Sequence, residues 1–446
     1  MSSHSPSRRQ FISGAAGLAA ATAATSVLAA CSSSSTSANG GTSSGKPSAI
    51  SGQLNVWGGV PAASGPSDLI SAFEKANPGV TVNYTQFTND PTGNLKLDTA
   101  LQGGAEIDLF FTYTFPELTN RVNAKRTLDI TSLVNSDPDL KKLAAPSYSP
   151  LYSGKLYAIP TVSEAQFVLI NEDMMKSANI DIPVKWTVDD YHTVAKKLTK
   201  GGTHGAFISP FIAVPTLGQD AIYTKSGEAN FTAAPWASEV QLAQQMAQDG
   251  STFPESQILS QQLAAYQQNL FLTGKIGLWY TATWVLRYIN DQKNYPHDFV
   301  TTFAPAPSPV GVSDPWNVGT FDNLMSISSA SQNKDAAWAF LRYWATTGAE
   351  YMYKAGKLSP IQGYTQQAAD ALLGPNSAKL YDGNAFKRVV FDPTIKMGVP
   401  TTFTAGPQIA AAQLTQNQQL LLGNITPDQW VSNMQSTASK AIAQAS

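Results

Sequence analysis

The chain has 446 residues, with 29 Lys and Arg against 31 Asp and Glu and a formal net charge of −2. That length exceeds one ordinary core and points to two or three domains. Charged residues are 13% of the chain, about half the usual share of roughly 25%, so no basic face is available for nucleic acid.

At the N-terminus, Arg8 and Arg9 stand before Phe11 and Ile12 as a twin-arginine export signal. The Ala/Gly-rich stretch that follows is too short and too weakly apolar to span a bilayer. Leu28-Ala29-Ala30-Cys31 resembles a lipobox, and Cys31 is the sole cysteine, which excludes an intramolecular disulfide. The expectation is a signal peptide over 1–30, cleaved before Cys31, with lipid on the Cys31 sulfur. The protein would then be anchored on the extracytoplasmic face of the bacterial cell membrane. The alternative is an ordinary signal with a chance cysteine. Residues 31–51, rich in Ser, Thr, Gly and Asn, read as a flexible tether.

Residues 53–57 alternate and end at Gly58-Gly59, a first strand. Apolar spacing predicts a helix over 67–76, closed by Asn77-Pro78-Gly79, then a strand over 80–84. A helix over 94–102 leads to a strand over 107–111. Strand, helix, strand with short returns builds a parallel sheet. Ligands in such sheets bind beyond the carboxyl ends of strands, where Trp57 and Tyr113 lie. In the run Gly154-Lys155-Leu156-Tyr157-Ala158-Ile159-Pro160, a turn feeds an extended piece that Pro160 stops. A buried strand then runs from Phe167 to Ile170, and Glu164 is the one carboxylate between. A strand that pauses and resumes can leave one domain and enter another, so Glu164 is read as facing a cleft.

Farther on, Thr187 with Asp190 forms an approximate capping box for a helix ending at Leu198. A strand over 206–208 precedes Pro210-Phe211. Helices are expected over 237–248 and 261–270. The run from Phe271 then turns into a strand through Tyr280, and Trp284 opens the next helix. A strand over 299–303, a loop over 317–323 and a strand over 324–327 follow. The last helices are 335–344, 408–422 and 426–443.

Three of these segments, in this order, resemble those of the extracellular solute-binding proteins of carbohydrate ABC importers, the maltose-binding-protein-like family. They are Gly154 to Pro160 with Ile170-Asn171-Glu172-Asp173 behind it, Phe271-Leu272-Thr273-Gly274-Lys275-Ile276-Gly277 through Trp284, and Ser331-Gln332-Asn333-Lys334-Asp335-Ala336-Ala337-Trp338-Ala339-Phe340-Leu341. The chain departs from the family pattern at Gly277, Leu278 and Ala282. The resemblance implies an α/β, two-lobed periplasmic-binding-protein fold, each lobe a mainly parallel sheet flanked by helices, with the ligand cleft at the hinge. One lobe would be 52–160 plus 322–358, the other 165–318 plus 362–446, joined by hinge segments 161–164, 319–321 and 359–361. It implies a lipid-anchored receptor, not an enzyme, that captures a sugar by lobe closure and delivers it to an ABC permease. A monomer is expected, since one receptor face must dock. By the same resemblance Glu164 is a cleft carboxylate and Trp284 a stacking tryptophan. Tyr113 lies at another stacking position, and Phe211 follows a proline as a cleft tyrosine does. Thr320 and Asp322 belong to a crossover loop. Phe403 is nearest to a late cleft aromatic, and Trp57 adds a strand-end ring.

A sugar offers an apolar C–H face to rings and a hydroxyl rim to planar polar side chains. Aromatics at 10% and few charges suit a neutral oligosaccharide better than a phosphate. Each candidate also has a structural reading: Trp284 as core, Glu164 as a solvated hinge residue, Asp322 as a cap on the turn at Gly319. Trp57 and Trp279 suit packing, Trp186, Trp338 and Trp344 the core, and Trp236 and Trp316 loops. His4, His192, His204 and His297 lack ligand spacing, so no metal or cofactor is expected. A different class remains, a secreted glycosidase using Glu164 and Asp322, which would need its carboxyls roughly 5–10 Å apart.

Overall fold

The computed structural model describes residues 50–265, 267–312 and 319–445. Arg8, Arg9, Cys31, nearly all of the tether and Trp316 lie outside the described residues. Strands β1 (Gly52–Gly58), β2 (Val80–Gln86) and β3 (Leu109–Thr112) form where expected, with β1 parallel to both others. The helix Pro66–Ala76 buries Leu69, Ile70 and Phe73 against this sheet, and Pro91–Gln102 starts earlier than the pattern suggested. The reason is Asp90, whose side chain accepts the Gly93 N–H as an N-cap, with Pro91 at the first helical position.

Strand β4 (Ile159–Asn171) joins the two halves of the molecule. Pro160 does not stop it; Pro160 is its second residue, opposite Leu324, and the strand runs on for 13 residues. Both faces are buried, which is why the run reads as nearly continuous apolar residues. The first half of β4 pairs antiparallel with β8 (Gly319–Ile327). The second half pairs with β6 (Ile276–Ala282) and β7 (Thr301–Pro305). Strand β5 (His204–Ala206) extends that second group parallel to β6, and β9 (Met397–Gly398) lies parallel to β8. The order is β2-β1-β3-β8-β4-β6-β5, and every antiparallel pair involves β4 or β8. The loop expected over 317–323 is instead strand from Gly319, since β4 offers it a partner.

This is an α/β, two-lobed architecture with separate cores. One gathers Leu54, Val56, Phe73, Phe111, Phe340 and Trp344 on the β1–β3 side. Others flank the β4–β6 side: Phe167, Trp279 and Phe303 on one face, Val168, Trp186 and Tyr191 on the opposite one. Thr187 and Asp190 form the full capping box on Val188–Leu198. Trp236 is not a loop residue. It is buried in the helix Ala234–Gln248, beside Phe231 and Trp430, and its indole N–H donates to the Ala221 carbonyl at 2.8 Å. The Gln-rich helix expected over 261–270 breaks into Glu255–Ser260 and Gln268–Leu272.

Candidate functional site

Three chain crossings run side by side between the halves. The β4–β8 register sets Glu164 opposite Thr320 and Val162 opposite Asp322. Opposed residues of an antiparallel pair share a face, so Glu164 and Asp322 lie on the same one. The third crossing follows Gly356, where the Ser163 N–H donates to the Leu358 carbonyl at 2.8 Å. It brings Lys357 under the strands. The Lys357 ammonium meets Glu164 Oε1 at 3.1 Å and Asn323 Oδ1 at 3.3 Å, and both charged side chains are buried. Asn323 adopts φ 51°, a left-handed conformation Asn tolerates, and its N–H donates to Asp322 Oδ1 at 2.6 Å. Burial, and then the neighbouring Glu164 charge, push the Asp322 carboxyl up to about 7, with Lys357 pulling the other way.

Aromatic side chains stand on the β1–β3 side of this cluster. Tyr113 leaves the end of β3, and its hydroxyl accepts the Gly59 N–H at 2.5 Å. Tyr84 donates to the Val60 carbonyl at 2.8 Å. A Cβ at Gly58 would come within 2.4 Å of the Tyr84 hydroxyl, so the glycine after Trp57 makes room for that ring. Burial raises the Tyr113 phenol, and Asp322 raises it further, so ring and carboxyl share one electrostatic neighbourhood.

On the other side, Trp284 sits in the turn Thr283–Val285 after β6, edge-on to Trp279 at 5.7 Å. The turn is tied to the third crossing, because the Thr283 hydroxyl donates to the Gly356 carbonyl at 2.7 Å. Gly356 has φ 78°, and a Cβ there would stand 2.2 Å from the Thr283 carbonyl oxygen. Gly356→Ala therefore combines a left-handed alanine with a backbone clash. The expected cost is about 1–3 kcal/mol, with Trp284 displaced. Denaturant unfolding and Trp fluorescence of the variant test this; unchanged values in both would refute it.

Glu164, Asp322 and Tyr113 are thus brought together, while Trp284 joins them only through the Thr283 tie to the third crossing and packs, half-buried, against the core of Phe271, Trp279 and Val285. Trp57 packs on Phe87, Leu97 and Phe110 under the helix Pro91–Gln102, with Lys96 over its ring at 5.7 Å. Thr320 spends its hydroxyl on the Gly398 carbonyl at 3.2 Å. Phe211 is 42% exposed and edge-on to Tyr280, whose hydroxyl donates to Gln166 Oε1 at 2.8 Å. Phe403 stacks on Tyr152 at 4.7 Å and lines an apolar cavity of about 240 Å³ with Phe115 and Tyr223. Lys357, Tyr84 and Arg287 were missed by the sequence reading. Lys357 had one signal, a Gly-Lys-Leu run ahead of a proline, as at Gly154-Lys155-Leu156. Among the described residues no group of three His, Cys, Asp or Glu could hold a metal ion. No described helix is long and apolar enough to cross a membrane.

A family model described as bacterial extracellular solute-binding protein matches residues 61–351. Among solved structures, the ABC substrate-binding protein of Listeria monocytogenes in complex with cycloalternan is similar at TM-score 0.71 and 20% identity, covering 88% of this chain and 99% of that one. The GacH receptor of Streptomyces glaucescens GLA.O, solved unliganded and with acarbose, aligns at TM-score 0.67 and 18% identity over 89% and 100% of the two chains. The maltose/maltodextrin-binding domain MalE of Bdellovibrio bacteriovorus, bound to maltotriose, aligns at 0.65 and 17% over 88% and 100%. At these identities the structural likenesses establish the fold.

Proposed function

The chain belongs to the bacterial extracellular solute-binding proteins, and we propose from that premise that it is a sugar receptor which closes its lobes on an oligosaccharide and hands it to an ABC-type permease. The observation that carries the reading is the convergence of Glu164, Asp322 and Lys357 from three adjacent crossings, between Tyr113 and Trp284. Planar polar groups and rings on opposite sides are what a sugar's rim and faces require. Closing two lobes over it strengthens each hydrogen bond by excluding water. The lobes are read as 52–160 plus 322–358 and 165–318 plus 362–446, hinged at 161–164, 319–321 and 359–361. Trp57, Phe211 and Phe403 extend the site toward its ends, and Thr320 stands beside Glu164 at its centre. Twin-arginine export and a lipid on Cys31 hold the monomer at the outer face of the cell membrane. Against the glycosidase alternative stands the family to which the chain belongs, which is one of solute-binding proteins.

Thermal unfolding against a panel of mono- and oligosaccharides tests this. A bound sugar at 100 times its dissociation constant adds about 2.7 kcal/mol, a clear rise in melting temperature. The sugar should be recovered uncleaved, and Trp284→Ala should abolish the shift. Cleavage would favour the enzyme, and a panel without any shift would sink the substrate class.

A further inference from the structure

Arg287 stands one helical turn beyond Trp284, in the helix Leu286–Asn290. Its guanidinium lies 5.5 Å from the Trp284 ring centroid and 4.7 Å from that of Tyr288. Two aromatic rings thus hold a planar cation in one orientation. One terminal nitrogen donates to the Tyr288 hydroxyl at 3.1 Å, and the other reaches the Ala355 carbonyl at a long 3.4 Å. The third, Nε, is buried and has no acceptor. Among the described residues no Asp or Glu pairs with Arg287, whereas the buried Arg121 meets Asp98 at 2.7 Å. The Arg287 charge acts on both Tyr84 and Tyr113, the rings on the opposite side of the site.

A half-buried guanidinium without a counter-ion has N–H hydrogens to spare on its two terminal nitrogens, each of which makes one hydrogen bond within the protein, and calls for an acceptor of negative charge. A carboxylate accepts from such nitrogens and matches the charge, whereas a hydroxyl leaves the charge unmatched. The floor of the site does not repel an anion strongly. The Glu164 charge is matched by Lys357, and burial with the Glu164 charge keeps Asp322 protonated up to about pH 7. We propose that Arg287 is a specificity-determining residue that takes the carboxylate of an acidic sugar, so that the ligand is a saccharide carrying a uronate unit. This rests on the sugar-receptor reading and deepens it. The expectation of a neutral ligand came from composition and from a set of site residues that did not include Arg287.

The test is calorimetric titration of the full chain at low salt with di- to tetrasaccharides of galacturonate, glucuronate and mannuronate, each beside its neutral counterpart. One uronate series should bind roughly 10- to 100-fold tighter than its neutral counterpart, the worth of a charge-assisted hydrogen-bonded pair, and lose that margin as salt rises. Arg287→Gln should bring the ratio of acidic to neutral affinity close to one, whatever its effect on the neutral saccharide alone. Arg287→Lys keeps the charge, loses the fork and should retain part of the preference; it carries the test if the Gln variant does not fold. Equal binding of acidic and neutral sugars, or a preference that survives Arg287→Gln, overturns the inference and leaves the sugar receptor standing. If no saccharide of either kind binds, both readings fall.

Discussion

Lys357→Met is expected to destabilise the protein by about 3–5 kcal/mol, the cost of removing one partner from a buried ion pair. Lys357 and Glu164 are each 6% exposed, and their charged groups stand 3.1 Å apart. Methionine fills the space of the lysine stem, so the loss isolates the charge rather than the packing. What remains is an unpaired carboxylate on β4, facing Asp322, and an Asn323 side chain that has lost its donor. Glu164→Gln alone should also destabilise, though less, since it removes the carboxylate that meets the ammonium while Asp322, ionised at pH 8, still acts on Lys357. The double variant should lose less than the sum of the two, because neither charge is then stranded. Urea unfolding of the four proteins at pH 8 gives the coupling energy. A Lys357→Met protein within about 1 kcal/mol of the parent, or strictly additive losses, would show that water reaches the pair and screens it.

The elements that made this cluster were unequally legible. Strand β1, the helix after it and the Thr187 capping box follow local rules, alternation, apolar spacing and side-chain caps, and a sequence states those directly. Glu164 was legible for a related reason: one carboxylate in an apolar run has to be explained. The Pro160 stop was misjudged because a proline is tolerated near a strand's start, and β8 supplied the pairing that carried the chain through. Gly319 to Asn323 looked like a loop because Gly, Asp and Asn favour turns. Its pairing with β4, more than 150 residues earlier in the sequence, is a long-range fact that no window contains. Lys357 was barely legible for the same reason. Its meaning lies in Glu164, 193 residues away, and it sits between Gly356 and Leu358 with no periodic signal. Arg287 reads as an ordinary helix-surface cation until Trp284 and Tyr288 are seen to enclose it.

Asp322→Asn is expected to make the protein more stable at pH 8 and no different near pH 4. The ordinary aspartate value is 3.8, and in the folded chain Asp322 is raised to about 7. Below 3.8 the carboxyl is protonated in folded and unfolded chains alike and contributes nothing. Between the two values the unfolded chain releases the proton while the folded chain retains it, so stability falls as pH rises. Above about 7 the full penalty is present, about 2–4 kcal/mol once the partial exposure of the side chain is allowed for. Asparagine keeps the shape, keeps an acceptor for the Asn323 N–H and carries no charge to desolvate. Melting temperatures of parent and variant at pH 4 and pH 8 decide the matter: a gain at pH 8 alone is expected, and an equal change at both values, or a loss at pH 8, would refute it. A fold that retains a carboxyl at a cost to its own stability at neutral pH has a use for it. On the sugar-receptor reading that use is to accept a ligand hydroxyl within reach of Tyr113, so the stabilised Asp322→Asn protein should bind sugar more weakly than the parent. Loss of affinity beside the gain in stability would separate a binding residue from a turn cap, which predicts no loss of affinity because asparagine caps as well as aspartate.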